Sequence, residues 1–161
     1  MVDSHDAMMS RVLDLAVAAQ ARGDHPFGAL LVVDGEVIAT ARNRVVFDGD
    51  LTAHAELILV RKLERSGQLE LLADGVVYSS CEPCPMCVGA LFWAGSRRVA
   101  YALSHERLNA LAAPAGQPAV GFRIGAAEIG DAACPSMQFI GPEREDEASE
   151  PHVGFWTRDE R

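Results

Sequence analysis

The sequence has no run approaching the ~20 apolar residues that a membrane span requires, although 49% of its 161 residues are hydrophobic. Residues 1–11 lack the basic start and apolar stretch of a secretory signal. Positive charge is scarce as well. Fourteen Lys and Arg face 23 Asp and Glu, a net charge of −9, and residues 1–140 alone carry 11 bases against 16 acids. A protein that lives on phosphate contacts normally shows a basic face. Here Arg42/Arg44, Arg61/Lys62/Arg65 and Arg97/Arg98 are only short clusters, so nucleic acid is an unfavoured partner. Neither an internal repeat nor a second domain is visible, and only four cysteines occur. A chain of this length buries roughly two-thirds of its surface on folding and needs no disulfide staples. The expected compartment is the cytoplasm, where thiols stay reduced and free for chemistry.

Apolar positions recur at helical spacing over residues 7–22, and Gly23 and Pro26 end them. Residues 29–33 and 36–41 flank Asp34-Gly35, which predicts a two-residue hairpin. Thr52 is a candidate cap for a helix running to about Arg65. Residues 75–79 read as a strand, Pro83 as the start of a helix to Gly95, and residues 99–103 as another strand. Strands alternating with helices after a hairpin predict an α/β fold: a three-layer α/β/α sandwich with a central mixed five-stranded sheet. Beyond Ser104, residues 114–125 suit a loop and 137–140 an edge strand. Residues 143–150 are acidic enough to be mobile. The expected organisation is one domain over residues 1–140, followed by an acidic tail over 141–161 that closes the active site.

Cys81, Cys84 and Cys87 are spaced C-x2-C-x2-C, which makes a metal site the first thing to test. With Cys134-Pro135 they also suit an iron–sulfur electron carrier. A zinc-bound interaction module is a third class. Thr52-Ala53-His54-Ala55-Glu56 separates these readings. A lone histidine beside an apolar helix more often packs, and a lone Glu in a first turn more often complements the helix dipole. Together with Pro83-Cys84-x-x-Cys87, however, the pair makes H-x-E then P-C-x-x-C, the signature of zinc nucleobase deaminases. Cys84 and Cys87 share a helix face near its positive end, which favours thiolates. His54, Cys84 and Cys87 as three ligands leave the fourth tetrahedral position to water.

Residues 26–103 resemble the cytidine deaminase-like superfamily of zinc-dependent nucleobase and nucleoside deaminases. The likeness is carried by Pro26-Phe27-Gly28-Ala29, Asn43, residues 52–56 and residues 81–90. Phe27, and the run through Phe92-Trp93-Ala94, look most like bacterial guanine deaminases, with tRNA adenosine deaminases next. The resemblance implies a Zn²⁺ cofactor and Glu56 as the catalytic proton carrier. It implies substrate contacts from Phe27, Asn43, the Ala55 N–H, Trp93 and a C-terminal aromatic, Phe155 or Trp156. The implied reaction is hydrolytic deamination of a small nucleobase or related amino-heterocycle, guanine first. The alternatives are cytosine, isocytosine or a triazine, then a tRNA adenosine. A homodimer is implied too, supported by the apolar stretch 88–94. Gly121-Phe122-Arg123 stands where guanine deaminases carry an acid, and arginine cannot accept hydrogen bonds. Glu128 and Asp131 are substitutes for that acid, and Cys134 is expected as a buried thiol.

Overall fold

The computed structural model describes residues 4–113 and 115–156, and the statements below concern those residues. In chain order the elements are α1 His5–Ala21, β1 Gly28–Val33, β2 Glu36–Arg42, α2 Val45–Asp48, α3 Ala55–Arg65, α4 Leu71–Asp74 and β3 Val76–Cys81. They continue with α5 Pro85–Trp93, β4 Arg98–Leu103, α6 His105–Ala112, α7 Ala126–Ala132, β5 Gln138–Ile140, α8 Glu145–Ser149 and a 3-10 turn Glu150–His152.

The five strands form one sheet in the order β2-β1-β3-β4-β5. β1 pairs antiparallel with β2 and β3, whereas β3 with β4 and β4 with β5 run parallel. The hairpin is set by Asp34 and Gly35, whose φ values of 50° and 80° match the right-handed twist of the flanking strands. β1 is buried on both faces, as its unbroken run Ala29-Leu30-Leu31-Val32 requires. On one side Leu59, Leu63, Val77, Val88, Leu91 and Val99 pack under α3 and α5. On the other, Met8, Met9, Val12, Leu30, Tyr78 and Leu103 pack under α1. The architecture is the three-layer sandwich with a mixed sheet that the alternation of elements predicts.

Local boundaries differ from the sequence reading for identifiable reasons. Thr52 does not cap α3, because its hydroxyl donates to Asp50 Oδ1 at 2.7 Å, and His54 is the N-cap residue instead. Pro85 rather than Pro83 opens α5, with Cys84 at its N-cap. Residues 145–149, expected within a mobile acidic stretch, form α8. Glu145 accepts from Ser104 N and Oγ at 3.0 and 2.5 Å, Asp146 pairs with Arg107, Glu147 pairs with Arg144, and Ala148 is buried. Of the acidic tail, residues 157–161 lie outside the described residues.

α1 packs closely over β1 at Gly28. A Cβ there would meet Leu15 Cβ at 2.5 Å and the Val12 carbonyl oxygen at 2.8 Å. Gly28→Ala is therefore expected to destabilise the fold by ~1–3 kcal/mol, the usual cost of overpacking. A thermal melt should show a drop of several degrees, and an unchanged Tm would mean that α1 yields freely.

Candidate active site

Two helix N-termini converge at the C-terminal end of β3. His54 and Cys84 occupy the N-cap positions of α3 and α5 in extended conformation, and neither side chain caps its own helix. Both are thus free to face each other. His54 Nδ1 lies 3.7 Å from Cys84 Sγ and 3.5 Å from Cys87 Sγ. Among the described residues these three make the one His/Cys/Asp/Glu group whose ligand atoms all lie within 4.8 Å of one another. Tetrahedral zinc, with Zn–S about 2.3 Å and Zn–N about 2.0 Å, spaces its N and S ligands about 3.5 Å apart, so the donor set fits that ion. Cys81 is buried, and burial pushes its thiol well up; Cys134 is exposed, not buried as expected. Neither joins the cluster, so the four-cysteine iron–sulfur arrangement is not assembled.

The thiols already divide their charge. Cys84 is held down to about 4, first by a hydrogen bond from Cys87 and, against its burial, by His54. Cys87, fully buried, is pushed up by that same bond and by desolvation. His54 is raised through its bond to Cys84. The positive ends of α3 and α5 add to this preference for negative charge.

Glu56, on the first turn of α3, is 6% exposed and points into the same space. Its Oε1 accepts from Ser79 Oγ at 2.6 Å and its Oε2 from Cys87 Sγ at 3.4 Å. A cavity of about 90 Å³ is lined by Phe27, His54, Glu56, Cys81, Glu82, Cys84, His105 and Leu108. Asn43 is fully buried beside it: its N–H donates to the Phe27 carbonyl at 3.0 Å, and its Oδ1 accepts from Val45 N at 3.0 Å. Its Nδ2 has no acceptor among the described residues. Ala55 is the first residue of α3, so its N–H is one of those without an intrahelical partner.

Other expected contacts lie elsewhere. Trp93 is 86% exposed at the end of α5 and does not line the cavity. Of the apolar stretch 88–94, Val88 and Leu91 are buried, Trp93 is exposed and the others are half-buried. Arg123 lines a separate cavity of about 470 Å³ with Glu82, His105 and Asn109. Trp156 reaches Phe27 partly through His152: its Nε1 donates to His152 Nδ1 at 3.2 Å, and the His152 ring sits 5.1 Å from Phe27.

Three contributors escaped the sequence reading. Ser79 orients Glu56, and only its place in a strand facing α3 could have marked it. Asp24, 1% exposed, takes both Arg22 N–H groups on Oδ2 and the Val46 and Phe47 N–H groups on Oδ1. Arg22 also donates to the Asn43 carbonyl at 3.1 Å, so this pair fixes the loop that carries Asn43. Glu82 forms a third support, through hydrogen bonds to His105 N and Ala126 N.

An α/β sandwich with an open His/Cys/Cys centre and a buried carboxylate beside it is the site of a metal-dependent hydrolase. Residues 2–103 match the family described as the cytidine and deoxycytidylate deaminase zinc-binding region, and the chain belongs to that family: it is a zinc-dependent deaminase. It is 39% identical over 154 residues to a probable cytosine deaminase of Schizosaccharomyces pombe, covering 93% of this chain and 91% of that one. It is 42% identical over 103 residues to the guanine deaminase of Bacillus subtilis, covering 63% and 66%. The solved guanine deaminase of Nitrosomonas europaea shares the fold, with a TM-score of 0.79 over 98% of this chain and 87% of that one at 24% identity.

Two outcomes are expected here. Purified protein should carry one zinc per chain, retained in Cys81→Ala and Cys134→Ala and lost in His54→Ala and Cys87→Ala. Metal analysis that tracks Cys81 instead would refute this ligand set. The second concerns His152, buried against Phe27 and Trp156. Its pKa is lowered to about 4 by burial and then by the facing His25, against an ordinary value of 6.5. The unfolded chain takes up this proton first. The contribution to stability is full above about pH 6.5 and is lost as pH falls toward about 4, on the order of 3 kcal/mol in all. Denaturant unfolding should show a slope in that window that shrinks in His152→Gln; parallel curves would contradict it.

Proposed function

We propose that the protein hydrolytically deaminates a small free nucleobase, guanine first. The observation that carries this is the 90 Å³ cavity, in which one aromatic ring, one buried carboxylate and the faces of two metal-ligand side chains converge. It is smaller than the several hundred Å³ usual for larger ligands. Arg123 lines the other cavity, so its lack of acceptors does not count against guanine.

Held by His54, Cys84 and Cys87, zinc supplies a Lewis acid that makes water nucleophilic near neutral pH. As a zinc ligand Cys87 would be deprotonated, which would release Glu56 Oε2 from its hydrogen bond while Ser79 keeps Oε1 fixed. Oε2 then takes a proton from the attacking water and delivers it to the ring nitrogen beside the attacked carbon. The C–N bond breaks, ammonia leaves with a proton and a carbonyl remains. Phe27 covers the ring. Asn43 Nδ2 offers its unmade hydrogen bond to an acceptor on the base, and the Ala55 N–H binds a second polar group.

Cytosine is the second reading, because the likeness to the probable cytosine deaminase runs over 93% of this chain. Nucleic acid is disfavoured by the net charge of −9. Arg22, Arg44 and Arg61 are moreover already paired with Asp24, Asp48 and Asp50. A homodimer is proposed, supported by exposed Phe47, Leu51 and Trp93. No helix among the described residues is long and apolar enough to cross a membrane.

Ammonia release by the zinc-loaded protein from guanine, cytosine and their nucleosides tests the reading. Turnover of a free base is expected, and release from none of them would refute it. Glu56→Ala should keep its zinc and its fold yet lose about 10²-fold or more in kcat, the scale of a general acid–base group. Retained turnover would remove Glu56 from the mechanism.

A further inference from the structure

We propose that Glu82 sets the size of substrate the site accepts, by holding shut the partition between the reaction pocket and the larger cavity beside it. The proposal rests on the reading that the smaller pocket holds a nucleobase. Two residues, Glu82 and His105, line both the 90 Å³ pocket and the 470 Å³ cavity, so they lie between them. They are joined: Glu82 Oε2 accepts from His105 N at 2.9 Å. The other oxygen, Oε1, accepts from Ala126 N at 2.7 Å.

These bonds reach across the chain, because His105 opens α6 and Ala126 opens α7. From α6 come Leu108, in the wall of the small pocket, and Asn109, in the wall of the large one. Just before α7, residues 121–125 form the far wall of the larger cavity. One carboxylate therefore ties the segment that carries Cys84 to both elements that bound the two spaces. The fit is close, since a Cβ on Gly125 would stand 3.1 Å from Glu82 Oε1.

A carboxylate is needed for this. It has two acceptor oxygens and each takes one N–H, whereas an amide has a single acceptor and turns its NH₂ toward the second donor. Glu82→Gln must therefore lose one of the two ties in either orientation. With the partition loosened, the pocket opens toward a space several times its own volume. A base carrying a sugar on its ring nitrogen then has somewhere to put it. General damage to the site would depress activity on base and nucleoside alike, whereas a loosened partition shifts their ratio.

The test compares wild type with Glu82→Gln and Glu82→Ala, all zinc-loaded, with zinc per chain measured for each. The ratio of kcat/KM for guanosine over guanine, and for cytidine over cytosine, is expected to rise at least tenfold in the variants. Amide hydrogen exchange at His105 and Ala126 should speed up in the same proteins. A ratio that stays or falls in an active variant overturns the proposal, and so does unchanged exchange at both amides. If wild type releases ammonia from neither bases nor nucleosides, it is the base-deaminase reading that fails. Exchange then still decides whether Glu82 holds the partition.

Discussion

Everything at this site depends on bringing the N-cap residues of two helices within reach of one ion. A helix N-terminus presents unpaired N–H groups and a partial positive charge, and two of them meeting would repel unless something negative lay between. Here the negative charge comes from thiolate. His54 and Cys84 leave their own helices uncapped and turn toward each other, and Cys87 completes the grip from one turn further along α5. The sheet makes the meeting possible. β2 and β3 flank β1 and both run antiparallel to it, so the segments that leave them toward α3 and α5 start at the same edge of the sheet.

Around that centre the fold spends buried polar groups on position rather than on stability. Buried charges are costly unless paired and hydrogen-bonded. Glu56 is answered by Ser79, and Asp24 by Arg22 and two backbone N–H groups. Glu82, half-buried, is answered by two further backbone N–H groups. Each carboxylate fixes a different part of the surroundings: Glu56 itself beside His54 and Cys87, the loop that carries Asn43, and the contact of the segment before Cys84 with the starts of α6 and α7. Asn43 Nδ2 is left buried without an acceptor among the described residues.

How much of this the sequence disclosed follows the range of the interactions. The hairpin at Asp34-Gly35 and the buried strand β1 were legible because turn chemistry and apolar pattern are local. The triad of His54, Cys84 and Cys87 was legible because both halves of the motif sit on helix starts, where a few residues of spacing decide direction. Ser79, Asp24 and Glu82 were not, because the partners that tie them to other elements are 22 to 44 residues distant and no spacing rule connects them. The acidic stretch at 145–149 misled for the same reason. Its charges look solvated in sequence, but Ser104 and Arg107 wait for two of them. Trp93 shows the converse, since a motif can carry a residue that its own fold turns outward.

His54, Cys84 and Cys87 would grip the metal by two sulfurs and one imidazole and leave a position open for water. X-ray absorption at the zinc edge of the purified, zinc-loaded protein measures this directly. Two sulfur scatterers at about 2.3 Å and two nitrogen or oxygen scatterers at about 2.0–2.1 Å are expected. Three or four sulfurs would close the site and contradict it.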